Sequence, residues 1–201
     1  MVGRPVGSKP RVGVLALQGD FEAHSKALAA AGAEPVEVRT AADMESVAGL
    51  VIPGGESTTM LKLMGLMELK GALAEFGKTK PILGTCAGAI LLARDVTNPV
   101  QESFGMLDLT VQRNAYGRQV DSCVASLAPE SDFAERVGEG SLEAVFIRAP
   151  KILRAGPGVK ILAEYQGDPV LVEQGLHMAA TFHPELTADS RVHRLFLSKI
   201  R

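Results

Sequence analysis

Short apolar runs alternate with helix-like stretches through the first half of the chain. Residues 11–17 (RVGVLAL) are apolar at nearly every position, the pattern of a strand buried on both faces. Gly19-Asp20 interrupts the run. Residues 21–31 then follow the spacing of an amphipathic helix, which Gly32 ends. Residues 35–39 and 49–52 predict two further strands, the second stopped by Pro53-Gly54-Gly55. Residues 57–76 predict a helix broken near Gly65, residues 81–84 a strand, and residues 87–94 a helix. This βαβ alternation predicts a mostly parallel sheet covered by helices on both sides. The second half is richer in strands, over residues 106–113, 118–126, 142–148, 159–165, 169–174 and 178–182. Turns at Tyr116-Gly117 and Gly167-Asp168 join some of them, so antiparallel additions to the sheet are expected. A last helix is predicted over residues 188–200. The expected class is therefore α/β: three αβα layers around a mostly parallel sheet with antiparallel additions.

The chain has 201 residues, which fits one domain over residues 11–201, preceded by a polar Gly- and Pro-containing extension over residues 1–10. A net charge of −2 gives no basic footprint for nucleic acid. No apolar run is long enough to span a bilayer. The two cysteines, Cys86 and Cys123, stand in unrelated contexts and form no disulfide framework, so a reducing, cytoplasmic setting is expected.

In open α/β sheets, ligands bind beyond the carboxyl ends of the strands, and the candidate chemistry lies at such ends. Gly84-Thr85-Cys86-Ala87-Gly88 stands between a predicted strand and a predicted helix. It is the cysteine form of the G-x-S-x-G nucleophile elbow, in which the glycines permit a sharp turn that exposes the nucleophile. A helix N-terminus favours a thiolate, and the Ala87 N–H is placed to hold an oxyanion. Taken alone, the same segment also fits a buried cysteine in a tight turn. In Phe182-His183-Pro184-Glu185, the proline holds His183 out of the helical region. In a locally extended chain Glu185 stays near the His183 ring, where a carboxylate would select its tautomer. A lone histidine is more often structural. Pro53-Gly54-Gly55-Glu56-Ser57-Thr58-Thr59 also joins a strand to a helix, and Ser57 is a candidate cap. A phosphate-binding loop is the competing idea, but no G-K-[ST] follows.

Together these segments resemble the class I, triad-type glutamine amidotransferases. The stretches Gly13 to Gly19, Pro53 to Thr59, Gly84 to Gly88, Arg113-Asn114-Ala115-Tyr116-Gly117-Arg118-Gln119-Val120-Asp121, Phe146-Ile147-Arg148-Ala149-Pro150 and Phe182 to Thr187 are similar to those of one subfamily. That subfamily is the glutaminase subunits of pyridoxal 5′-phosphate synthase, and the likeness runs from about residue 11 to the C-terminus. Related glutaminases of histidine, purine or tryptophan synthesis share the elbow but usually lack the Arg113–Asp121 and Phe146–Pro150 patterns. The resemblance implies Cys86 as nucleophile, His183 as general acid/base and Glu185 as its orienting partner. It implies oxyanion N–H groups from Gly55 and Ala87, and L-glutamine held by Gly55, Glu56, Ser57, Arg113, Ile147 and Arg148. No metal or organic cofactor is implied. The implied partner is the synthase subunit that builds pyridoxal 5′-phosphate, with low activity alone and more in complex. A Gly54–Gly55 peptide that turns on docking would account for such coupling.

Cys123 falls in a strand-like run, where an aromatic is common in the subfamily, and reads as an apolar filler. His177 and His193 lack metal-ligand spacing and read as surface residues. His24 reads as part of a solvated helix face, or, by the resemblance, of one turned toward the partner. Two rivals stay open: a thiol hydrolase or glutaminase of another pathway, and a non-catalytic interaction subunit that keeps the elbow as scaffold.

Overall fold

A computed structural model describes residues 9–115 and 122–200. The predicted turn at Tyr116-Gly117, residues 118–121 of one predicted strand and residues 1–8 of the extension lie outside the described residues. The chain runs through β1 (Arg11–Leu15), α1 (Phe21–Ala30), β2 (Glu34–Val38), α2 (Ala41–Glu45), β3 (Leu50–Ile52), α3 (Ser57–Leu66), α4 (Leu69–Thr79), β4 (Ile82–Thr85) and α5 (Ala87–Leu92). It continues through β5 (Ala93–Thr97), β6 (Leu107–Gln112), β7 (Ser122–Leu127), α6 (Ser131–Val137), β8 (Leu142–Ile147), β9 (Lys151–Ala155), β10 (Lys160–Tyr165), β11 (Asp168–Gln174) and β12 (His177–Ala180). A 3-10 turn (Pro184–Leu186) and α7 (Arg191–Leu197) follow.

The central sheet has the order β10-β11-β12-β4-β3-β1-β2. From β12 to β2 every pairing is parallel, while β10, β11 and β12 pair antiparallel. Alternate side chains enter opposite layers, as the two-residue period of a strand requires. Val12, Val14, Val51, Leu83 and Met178 pack with Leu28 of α1, Phe133 of α6 and Leu195 of α7. Leu15, Leu50, Ile52, Ile82 and Ala179 face the other side, against Met60 and Met64 of α3, Leu73 of α4 and Leu91 of α5. These are the three αβα layers that the alternation predicts.

Several expectations are revised. Only β10 and β11 extend the central sheet as antiparallel additions; β12 joins it parallel to β4, and the remaining second-half strands form, with β5, two small sheets, β5-β6-β9 and β7-β8. The 57–76 helix breaks as expected, with Glu68 in the left-handed region (φ 55°) between α3 and α4. The last helix begins only at Arg191, because Thr187 and Asp189 side chains accept the N–H groups of Asp189 and Arg191 and hold that stretch as a turn. Residues 93–94 belong to β5 and not to the preceding helix. Cys123 lies on β7 as expected but is exposed, so it fills no core. His177 and His193, read as surface residues, are buried, as is His24 on α1. Among the described residues no helix is long and apolar enough to cross a membrane.

Candidate active site

The nucleophile elbow forms at the carboxyl end of β4. Cys86 adopts φ 48°, ψ −102°, a conformation that non-glycine residues adopt at a cost of about 1–3 kcal/mol. The two flanking glycines permit it. A Cβ on Gly84 would lie 2.5 Å from the Gly88 backbone, and one on Gly88 would lie 2.1 Å from the Ile52 carbonyl oxygen. The Cys86 N–H donates to the Ala180 carbonyl at 2.8 Å. That bond ties the elbow to the end of β12, so His183, three residues further on, is carried to the cysteine.

His183 and Glu185 meet by a route different from the one expected. The chain is not extended there; Pro184–Leu186 is a 3-10 turn. Within it, His183 Nδ1 lies 2.7 Å from Glu185 Oε1. This leaves Nε2 as the ring nitrogen free to meet the Cys86 thiol, the two side chains bordering one another at Gly54. The His183 N–H donates to the Val145 carbonyl at 2.8 Å, which fixes the backbone of the turn against β8. Burial works against charge on the ring. The neighbouring Cys86 and Glu185 outweigh burial and raise the His183 pKa to about 10. The Glu185 side chain is fully buried.

Cys86 and His183 open onto a cleft whose walls include Gly55, Glu56, Ser57, Arg113, Ile147 and Arg148. Every substrate-side residue singled out from the sequence thus meets in one place. Ala87 and Glu185 are not among the residues lining this cleft. Ser57, the expected cap, is not the cap of α3. Glu56 is, accepting from the N–H groups of Thr58 and Thr59 at 3.1 and 2.7 Å. Burial pushes the Glu56 carboxyl up, but hydrogen bonds from Thr59 and Thr58 outweigh it and hold the group below its ordinary value. Ser57 Oγ instead donates to Gln101 Oε1 at 2.9 Å. Arg113 reaches Glu56 Oε1 at 3.2 Å and Thr58 Oγ1 at 3.0 Å, joining two walls of the cleft. Arg148 stands at φ 45° at its rim.

Sequence reasoning missed Gln18. Its Oε1 accepts the Glu56 N–H at 2.8 Å, and a Cβ on Gly55 (φ +149°) would lie 2.4 Å from that oxygen. The neighbouring Gly19 lies against the Gly54 carbonyl, where a Cβ would come within 1.8 Å of the oxygen. The glycines of both loops allow this close approach, and the signal was present in the stretch Gly13 to Gly19. Among the described residues no group of three or more His, Cys, Asp or Glu side chains could hold a metal ion.

Residues 14–201 match the model of the SNO glutamine amidotransferase family. A protein of Solibacter usitatus described as pyridoxal 5′-phosphate synthase subunit PdxT is 62% identical over 190 residues, which cover 94% of this chain and 99% of that protein. A protein of the same description from Koribacter versatilis is 53% identical, over 95% of this chain and 96% of its own. A crystal structure of a glutamine amidotransferase superposes with a TM-score of 0.85 at 45% identity, covering 94% of this chain and 98% of its own.

Proposed function

The chain belongs to the SNO glutamine amidotransferase family, and from that premise we propose that it hydrolyses L-glutamine to L-glutamate and ammonia and delivers the ammonia to a pyridoxal 5′-phosphate synthase subunit. The observation that carries the reading is the position of His183, hydrogen-bonded to Glu185 and beside Cys86 at the wall of the cleft. Its relatives' description as synthase subunits supports the choice of partner.

Glutamine enters with its side-chain amide toward Cys86, its α-substituents held by Glu56, Ser57, Arg113 and Arg148 and its stem by Ile147. Cys86 Sγ attacks the amide carbon as the thiolate, its proton resting on His183. The oxyanion is held by the N–H groups of Gly55 and Ala87. NH₂⁻ cannot leave unprotonated, so His183 gives its proton to the amine and ammonia departs. A γ-glutamyl thioester remains on Cys86. Now neutral, His183 takes a proton from water as the water attacks the thioester, and glutamate leaves with the thiolate restored. Glu185 holds the ring in the required tautomer and stabilises its charged form.

Gln18 grips the Glu56 N–H and the Gly54 carbonyl abuts Gly19. These contacts support a Gly54–Gly55 peptide whose orientation is set by packing, and which the synthase changes on docking. Residues 11–201 act as one glutaminase domain beyond the extension of residues 1–10. A free cysteine nucleophile suits the reducing cytoplasm. The test is glutamate release from glutamine with and without the synthase subunit, for wild type and Cys86→Ala. Release that rises with the synthase and vanishes in the variant is expected. No release in the presence of the synthase would overturn the pathway assignment.

A further inference from the structure

Behind the cleft lies a group of buried polar side chains that the mechanism above does not use. His24 of α1 and His193 of α7 are both fully buried. His24 Nδ1 lies 3.2 Å from His193 Nε2, and His24 Nε2 lies 3.0 Å from Thr85 Oγ1 and 3.2 Å from Glu185 Oε2. Neither Glu185 Oε2 nor His193 Nδ1 has a hydrogen-bond partner among the described residues, so His24 Nε2 approaches Oε2 as a charge contact and not as an aligned hydrogen bond. One histidine therefore touches the residue before the nucleophile and the free oxygen of the orienting carboxylate, and is itself backed by a second histidine.

These unpartnered atoms select one tautomer for the pair. Suppose the His24 proton were on Nδ1. The Nε2 lone pair would then face a carboxylate oxygen at 3.2 Å, and His193 would have to accept at Nε2. The His193 proton would sit on Nδ1, a buried N–H with nothing to bond, at a cost of about 1–3 kcal/mol. With the His24 proton on Nε2, an N–H faces Thr85 and Glu185, and His24 Nδ1 accepts from His193 Nε2–H. Of the two rings, only an acceptor lone pair, at His193 Nδ1, is then left without a partner.

We propose that His24, fixed in its Nε2–H tautomer by His193, is a positioning residue that holds Glu185 Oε2 so that Oε1 stays aimed at His183. The inference rests on the glutaminase reading and adds a second layer to its triad. Without the His24 N–H, the buried carboxylate loses the group facing one oxygen. It then turns or takes up a proton more readily, and either change loosens His183. The titratable groups around Glu185 are His183 on its own segment, His24 from α1 and His193 from α7, with Cys86 beyond His183. Asp20, Glu22, Lys26 and Asp189 border the surface cleft on the far side of Glu185.

The test measures glutaminase kinetics in complex with the synthase subunit for wild type, His24→Leu and His24→Gln. His24→Leu keeps volume without a donor, and His24→Gln restores an N–H near Nε2. His24→Leu should lower kcat on the order of 10- to 100-fold, as removal of groups that orient a functional histidine does, with KM little changed. The acidic limb of its kcat/KM profile should move to higher pH, and His24→Gln should recover most of kcat. A wild-type kcat and pH profile in His24→Leu, or equal losses in both variants, would overturn the proposal. Because wild type is assayed alongside, a failure of the glutaminase reading itself shows separately, as an inactive wild-type complex. Should His24→Leu not fold, ¹H–¹⁵N correlations of the histidine rings in the wild-type protein decide the matter. A His24 Nε2–H tautomer is expected, and an Nδ1–H tautomer would overturn the proposal.

Discussion

At Gly54 the absence of one carbon atom sets the distance between Cys86 and His183. A Cβ there would lie 2.4 Å from His183 Cε1, 3.1 Å from its Nδ1 and 3.3 Å from Cys86 Cβ. Gly54→Ala should therefore fold normally and push the imidazole away from the thiol. A misplacement of about 1 Å costs roughly 100-fold in rate, so kcat with the synthase present should fall by at least about that factor. An unchanged thermal midpoint would show that the loss is local. The grouping of Cys86, His183 and Glu185 was legible in the sequence because each stands in a short motif whose geometry is local: two glycines around Cys86, and one proline between His183 and Glu185. His24 and His193 were misread because their burial depends on which face of α1 and α7 meets the sheet. A hint was available, since His24 and Leu28 lie four residues apart on one stripe of α1 and both are buried. Gln18 left less to read: its role depends on a loop 38 residues away.

At the scale of elements, two glycine-to-alanine changes should have opposite signs. Gly88 in α5 packs so closely on β3 that a Cβ would meet the Ile52 carbonyl oxygen at 2.1 Å. Backbone on both sides leaves little room to yield, so Gly88→Ala should cost about 1–3 kcal/mol or more, as overpacking does. Gly71 in α4 is exposed, and a Cβ there would touch nothing within 4 Å. Gly71→Ala should add about 0.5–1 kcal/mol through helix propensity and a less flexible unfolded chain. Denaturant midpoints for the two variants check both signs. The same packing explains which elements the pattern revealed. β1, β3 and β4 are covered on both faces, so their apolar runs stand out. β9 was missed because only Ile152 of Lys151–Ala155 is buried, and α2 and α6 because each is a turn or two long with one buried side chain, Met44 and Phe133.

For the whole molecule, buried histidines make stability depend on pH in two opposite directions. Burial holds His193 at about 4, and burial first, then the charges of His193 and His183, holds His24 well below 6.5. Both are neutral in the native protein near pH 5–6, whereas the unfolded chain takes up a proton at each below about 6.5. The unfolded state then binds more protons, so stability rises with pH across this window and is lost as pH falls. His183, raised to about 10, does the reverse: its contribution is complete below 6.5 and disappears as pH climbs toward 10. The carboxylates held below their ordinary values, such as Asp189 and Glu173, begin to matter only below about pH 4.5. The interval from pH 6.5 to 5 therefore isolates the buried neutral histidines, the pair together with His177, whose pKa burial also lowers. Over it His193 alone should cost about 2 kcal/mol, or a fall of about 4–8 °C in thermal midpoint for a chain of this size. His193→Leu should flatten that limb and leave the loss toward pH 10 in place, since His183 is untouched. A wild-type midpoint that stays level between pH 6.5 and 5 would mean that the pair takes up protons within the native fold, and the tautomer assigned to His24 would then fail in acid.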